Sequence, residues 1–381
     1  MTNAMSKLNS RKSLKAISGW VAVVSLATLC IPAGVSAQDE KAKPLKLFES
    51  EDTLVIEMTA PWHEFVRNKD YKGSYPAKLE YTDELGNVES LDLTVERRGV
   101  TRQRVCKIPP VKLRFEKGSA KGTTFRGQGS LKMVTHCESR EGFEQYYVLE
   151  MLAYRMYNLL TDYSFRVRPL TVTYYQVEDP DEKESRFSFV KKKKSEGPVF
   201  AFLIEDDKDV ANRFDLNKLK VGQISPKQLD SEESSVFSLF QYMISNVDWA
   251  ATGGPDPSEC CHNAKLIGPE PTKPGDVIHA IPYDFDSSGL VDSPYAHPPE
   301  SLPVRSVTQR LYRGYCAHNA SLDTARREML AKEQAIYDLV ESEDRLEPGR
   351  KKKAVRYLAE FFEIMRDDDE FQKKVVKKCR G

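Results

Sequence analysis

The apolar residues of this chain change their spacing part-way along it, and that change limits the folds open to it. Over residues 44–116 the period is two. Leu54-Val55-Ile56-Glu57-Met58 reads as a short strand, and Lys78-Leu79-Glu80-Tyr81 leads through Leu85-Gly86-Asn87 into Leu91-Asp92-Leu93-Thr94-Val95, a hairpin pattern. Val111-Lys112-Leu113-Arg114-Phe115 alternates, so Lys112 and Arg114 share one face. From Glu141 to Leu160 the spacing turns helical, with Tyr147, Met151, Tyr154 and Tyr157 recurring at threes and fours. Strand signals return at Arg166–Tyr175 and Val199–Ile204, with the charged stretch 178–197 between them as an exposed hairpin tip. Val236–Val247 and residues 303–378 read as helical, the latter interrupted at Pro348-Gly349. A β-rich first part and an α-rich last part predict an α+β fold with two lobes.

The N-terminus reads as an export signal. Lys7, Arg11, Lys12 and Lys15 precede an apolar run from Ile17 to Ile31, and Val35-Ser36-Ala37 fits a small-x-small cleavage pattern. The run is too short for a membrane anchor, which needs about 20 residues. The expected organisation is a signal peptide over 1–37, a β-rich lobe with one helix over 44–204, and a helical lobe over 205–381 carrying the polar motifs. After signal removal no transmembrane anchor is expected, and the chain is expected to be periplasmic or secreted.

Of the seven cysteines, Cys30 leaves with the signal, and Cys106, Cys137, Cys260, Cys261, Cys316 and Cys379 remain. An even count in an exported chain favours disulfides, and no CxxC spacing supports zinc. Adjacent Cys260 and Cys261 are each expected to reach a distant partner. The 57 basic and 57 acidic residues balance, which argues against a bulk nucleic-acid binder.

Chemistry is concentrated in three polar segments. Asp248 follows an apolar helix, Asn263 follows His262, and Tyr283-Asp284-Phe285-Asp286 follows Val277–Ile281, a run that reads as a buried strand. Phosphoryl transfer needs a carboxylate to orient the attacking hydroxyl, and an amide oxygen and a further carboxylate to hold Mg²⁺ against phosphates. Asp284 and Asp286 flank Phe285 and would repel each other without a cation or hydrogen bonds between them. A structural Ca²⁺ held by the two, or a metal-assisted hydrolase, are the competing readings of the same pair. Lys112 on its strand can reach phosphates if a helical glutamate holds it, with Glu150 the first candidate and Glu144 the second.

The chain also resembles the CotH-like atypical protein kinases, the spore-coat kinase family, across roughly residues 95–300. The resemblance is carried by Arg98-Gly99 with Pro109-Pro110-Val111-Lys112-Leu113-Arg114-Phe115, by Gly197–Glu205, and by Asp248, Asn263 and Tyr283-Asp284-Phe285-Asp286 in that order. It implies a bilobal protein-kinase-like fold that binds ATP and Mg²⁺ and phosphorylates an exported protein substrate. By carry-over Lys112 contacts phosphates, Asp248 orients the acceptor hydroxyl, and Asn263 with Asp284 holds Mg²⁺. Asp286 adds a second-metal contact, and Glu205 faces the nucleotide or supports the lobe connection. A catalytically inactive binding or scaffold protein of the envelope is the alternative.

Overall fold

The structure, a computed structural model, describes residues 43–138, 140, 142–177, 192–256, 258–273 and 275–381. The expected signal peptide and most of the stretch read as a charged hairpin tip therefore lie outside the described residues. The described residues form one compact unit.

Seven strands close into a barrel: β1 (Leu54–Ala60), β2 (Ser74–Thr82), β3 (Val88–Arg97), β4 (Val111–Phe115), β5 (Ser130–Val134), β6 (Val167–Val177) and β7 (Lys192–Ile204). Their order around the barrel is β1-β2-β3-β4-β5-β7-β6. Every pair is antiparallel except β1 with β6, whose parallel pairing, Leu54 opposite Leu170 through Ala60 opposite Gln176, shuts the ring. The β2–β3 hairpin forms where the sequence signalled it. The Asp83 carboxylate accepts the backbone N–H groups of Leu85 and Asn87, and Gly86 takes a φ of 85° at the tip. Ile56, Met58, Leu79, Leu93, Val95, Leu113, Leu131, Met133, Leu170 and Val172 fill the barrel interior.

The remaining elements are α1 (Trp62–Arg67), α2 (Thr101–Val105), α3 (Glu144–Leu160), α4 (Asp207–Asn212), α5 (Ser231–Met243), α6 (Leu322–Ala331), α7 (Glu333–Glu341), α8 (Pro348–Arg366) and α9 (Asp368–Lys374). A small sheet of order β10-β9-β8 comprises β8 (Asn217–Lys218), β9 (Ala264–Gly268) and β10 (His279–Pro282). Pro348, expected as a break, occupies the first turn of α8, where its missing N–H costs nothing.

The expected bilobal, kinase-like architecture is not what forms. A closed barrel replaces the N-terminal lobe, because β6 returns to pair with β1 and leaves the sheet no open edge. Helix α3 is apolar nearly all round, with Tyr147 through Ala153 buried without a break, so it needs cover on every side. It takes that cover from Phe200, Phe202 and Val167 of the barrel's outer face and from Phe240, Ile336, Leu358 and Phe362 of the helical part, in one shared core.

Disulfides join Cys106 to Cys137, Cys260 to Cys261 and Cys316 to Cys379. The adjacent pair bonds internally, contrary to the expectation that each partner would reach across the fold. Disulfides of this number are compatible with an exported protein. No described helix is long and apolar enough to cross a membrane.

Candidate functional site

A cleft of about 480 Å³ opens where the barrel meets the small sheet. The barrel side contributes Arg98 after β3, Arg102 from α2, Lys112 from β4 and Lys132 from β5. The small sheet and its loops contribute Lys218, Asp248, His262, Asn263, Lys265, Tyr283, Asp284 and Asp286. Five of the seven sequence-expected site residues therefore line one cavity: Lys112, Asp248, Asn263, Asp284 and Asp286. A larger groove of about 750 Å³ lies against α8 and α9. Its charges are largely paired within its own walls, Arg310 with Glu360 and Lys374 with Glu370, and none of the expected residues is there.

Asp248 and Asn263 meet because the intervening loop is pinned shut at its ends. Ala250 and His262 form an isolated antiparallel bridge, with N···O distances of 2.9 and 3.0 Å. The Asp248 carboxylate then receives His262 Nε2 at 2.8 Å on Oδ1 and Asn263 Nδ2 at 3.1 Å on Oδ2. Asn263 Nδ2 also donates to the Asp248 carbonyl at 2.8 Å, which leaves Oδ1 of the amide as its acceptor atom. The hydrogen bond to Asp248 raises the His262 imidazole above its ordinary value, so the ring carries charge more readily beside that carboxylate.

The Asp-Phe-Asp segment is built around its middle residue. Phe285 is 0% exposed and packs against Tyr154 and Phe240, at ring separations of 4.6 and 5.4 Å. Asp284 takes a left-handed φ of 64°, and its N–H donates to the Tyr154 hydroxyl at 2.9 Å. Asn263 is left-handed as well, at a φ of 47°. Both are residue types that tolerate this region, and both supply side chains to the cleft. Burial pushes the Asp284 carboxyl up to about 6, and the Asp286 charge adds to this against the pull of Arg102 and Arg98.

Asp286 is already committed. Its Oδ2 accepts from Arg102 Nε at 2.9 Å, and the same guanidinium grips Glu150 through its Nη2. Arg102 is 6% exposed and Glu150 1%. Burial alone would lower the Arg102 guanidinium, but Asp286 and Glu150 together hold it well above its usual value. Burial raises Glu150 to about 7 despite Arg102. Glu150 is thus corrected from partner of Lys112 to partner of Arg102. The reason is positional: α2 inserts Arg102 between α3 and the Asp286 loop.

Of the two roles open to Glu205, the geometry favours support over contact with a nucleotide. Glu205 is 0% exposed and does not line the cleft; its Oε2 accepts from Arg213 at 3.1 Å and from the Arg166 backbone N–H at 3.0 Å. It holds β7 to the start of β6 and to α4.

Lys132 escaped the sequence reading although Ser130–Val134 alternates as Val111–Phe115 does. The two lysines are cross-strand partners, and Lys132 binds the buried Asp207 at 2.7 Å. Lys218 reaches the other oxygen of Asp207 at 2.6 Å. Against the cost of burial, these lysines hold Asp207 below the usual carboxylate range. Among the described residues no three His, Cys, Asp or Glu side chains are grouped to hold a metal ion. Among the described residues lining the cleft, the Asp284 carboxylate and the Asn263 amide oxygen have no hydrogen-bond donor of the protein on them.

No protein-family model matches the chain. Comparison with curated proteins and with solved structures returns no match either.

Proposed function

We propose that the chain is an exported phosphotransferase that moves the terminal phosphoryl group of a nucleoside triphosphate to a hydroxyl of a protein, chemistry of the kind its CotH-like motifs imply. The observation that carries the reading is the assembly of Asp248, Asn263, Asp284 and Lys112, far apart in sequence, on one cleft. On this reading the signal peptide is cleaved near Ala37.

Asp248 accepts the acceptor proton as the hydroxyl oxygen bonds phosphorus. The bond from phosphorus to the bridging oxygen breaks, and the diphosphate leaves with that electron pair. His262 and Asn263 hold the Asp248 carboxylate in place throughout. Lys112 meets the negative charge of the phosphates.

The donor set fits Mg²⁺, which is ordinarily held by one or two carboxylates together with substrate phosphates rather than by a full protein cage. Asp284 and the Asn263 amide oxygen would hold it, and the raised Asp284 carboxyl is the group that a nearby cation would return to its charged form. Bound there, the ion would neutralise charge on the phosphates.

A non-catalytic binding protein is the second reading. It is favoured by the commitment of Asp286 to Arg102, which leaves one carboxylate free for a cation. Incubation of the purified chain with γ-labelled ATP, Mg²⁺ and an exported-protein extract separates the two. Label on protein that disappears in Asp248→Asn supports transfer; binding of ATP without any label on protein supports the second reading.

A further inference from the structure

The cations of the cleft are not equivalent. Arg102 is neutralised by Glu150 and Asp286, and Lys132 and Lys218 share Asp207. Among the described residues no ion pair engages Arg98, Lys112 or Lys265. Arg98 Nε is buried without a hydrogen-bond partner, an arrangement that costs about 1–3 kcal/mol unless a ligand supplies the acceptor. Its backbone N–H is tied to the Pro110 carbonyl at 3.0 Å, and Gly99 beside it takes a φ of 80° that turns the chain away. Arg98 lines the cleft together with Tyr283 and Asp284.

Lys112 stands directly across from Lys132 with both lining the same cavity, a like-charge pairing that is unfavourable without an anion between or above them. Asp207 relieves Lys132 only. Lys265 is half-buried, with its Nζ 4.8 Å from the centre of the Tyr283 ring and no carboxylate bonded to it.

Three cations with no carboxylate bonded to them among the described residues thus enter one cleft from the end of β3, from β4 and from β9. A single phosphate carries about two negative charges at neutral pH and cannot balance all three. We infer that Arg98 and Lys265 join Lys112 in a three-cation cradle that selects a chain of two or more phosphates over a monophosphate. The inference rests on the phosphotransferase reading of the same cleft and adds to it the residues that choose the donor.

The test is calorimetric titration of the purified chain, at fixed Mg²⁺, with inorganic tripolyphosphate, pyrophosphate and orthophosphate. The parent is expected to bind tripolyphosphate at least tenfold tighter than pyrophosphate, and orthophosphate weakest. Arg98→Gln and Lys265→Gln should each weaken tripolyphosphate binding tenfold or more and reduce its salt dependence. Arg98→Lys should recover part of the loss. Melting curves confirm that each variant is folded, and Lys112→Gln replaces any that is not. Orthophosphate binding as tightly as tripolyphosphate, or unchanged affinity in folded Arg98→Gln and Lys265→Gln, overturns the cradle. If labelled transfer that depends on Asp248 persists beside such a result, the cradle alone is wrong. If the parent binds none of the three anions and transfers no label, both readings fall.

Discussion

Replacing Arg213 with Met tests the role of Glu205 as a structural anchor, the second of the two roles open to it. Glu205 has no solvent exposure, and among the described residues the Arg213 guanidinium at 3.1 Å is its only side-chain ion pair. The same guanidinium donates to the carbonyls of Ser164 at 2.6 Å and Asp162 at 3.1 Å. Removing one partner of a buried pair typically costs about 3–5 kcal/mol, because the other charge stays behind unpaired. Burial already raises the Glu205 carboxyl, and Arg213 is the largest influence pulling it down, so the variant raises it further. The folded variant then holds a proton that the unfolded chain has released, over the window from the ordinary glutamate value upward. Its stability accordingly falls as pH rises through that window. Urea unfolding at pH 5 and pH 8 should show the full loss of roughly 3–5 kcal/mol at pH 8 and a smaller one at pH 5. Adding Glu205→Gln to Arg213→Met should restore part of the loss at pH 8. A loss below about 1 kcal/mol at pH 8, or equal losses at the two pH values, would refute the reasoning.

Glu233 is raised to about 7, first by burial, while its hydrogen bond from Thr161 opposes the shift. Stability should therefore decline between pH 5 and pH 8, and Glu233→Gln should flatten that decline by on the order of 2 kcal/mol in urea unfolding. Phe285→Ala opens a hole beneath both cleft carboxylates; it should cost about 3–5 kcal/mol and abolish Mg²⁺-dependent nucleotide binding, read by calorimetry. Replacing both Cys316 and Cys379 with Ala removes a link across 63 residues of sequence, and unfolding should show a loss of about 4 kcal/mol.

The local elements were legible where local physics decides them. Alternation at 111–115, the Leu85-Gly86-Asn87 turn and the helical spacing of α3 all depend on near neighbours. Closure of the barrel was not legible, because the β1–β6 pairing joins segments more than a hundred residues apart and leaves no periodicity of its own. At the cleft, Asp248, Asn263 and Asp284 were readable as polar residues flanking buried runs. Their meeting depends on the Ala250–His262 bridge, which no spacing rule announces. Lys112 and Lys132 sit on equivalent patterns, so sequence alone could not say which lysine Asp207 would claim. Arg102 lies in a five-residue helix with no motif, and only the fold carries it between Glu150 and Asp286.

The central claim is that one cleft holds a phosphate chain and a cation at Asp284 and Asn263. Crystals of the chain grown with Mn²⁺ and a non-hydrolysable ATP analogue test it most directly, through the anomalous signal of the metal. The expected result is a peak bonded to the Asp284 carboxylate and the Asn263 amide oxygen, with the phosphates against Lys112 and Arg98. A fully occupied analogue bound elsewhere, or a metal peak away from both residues, would contradict it.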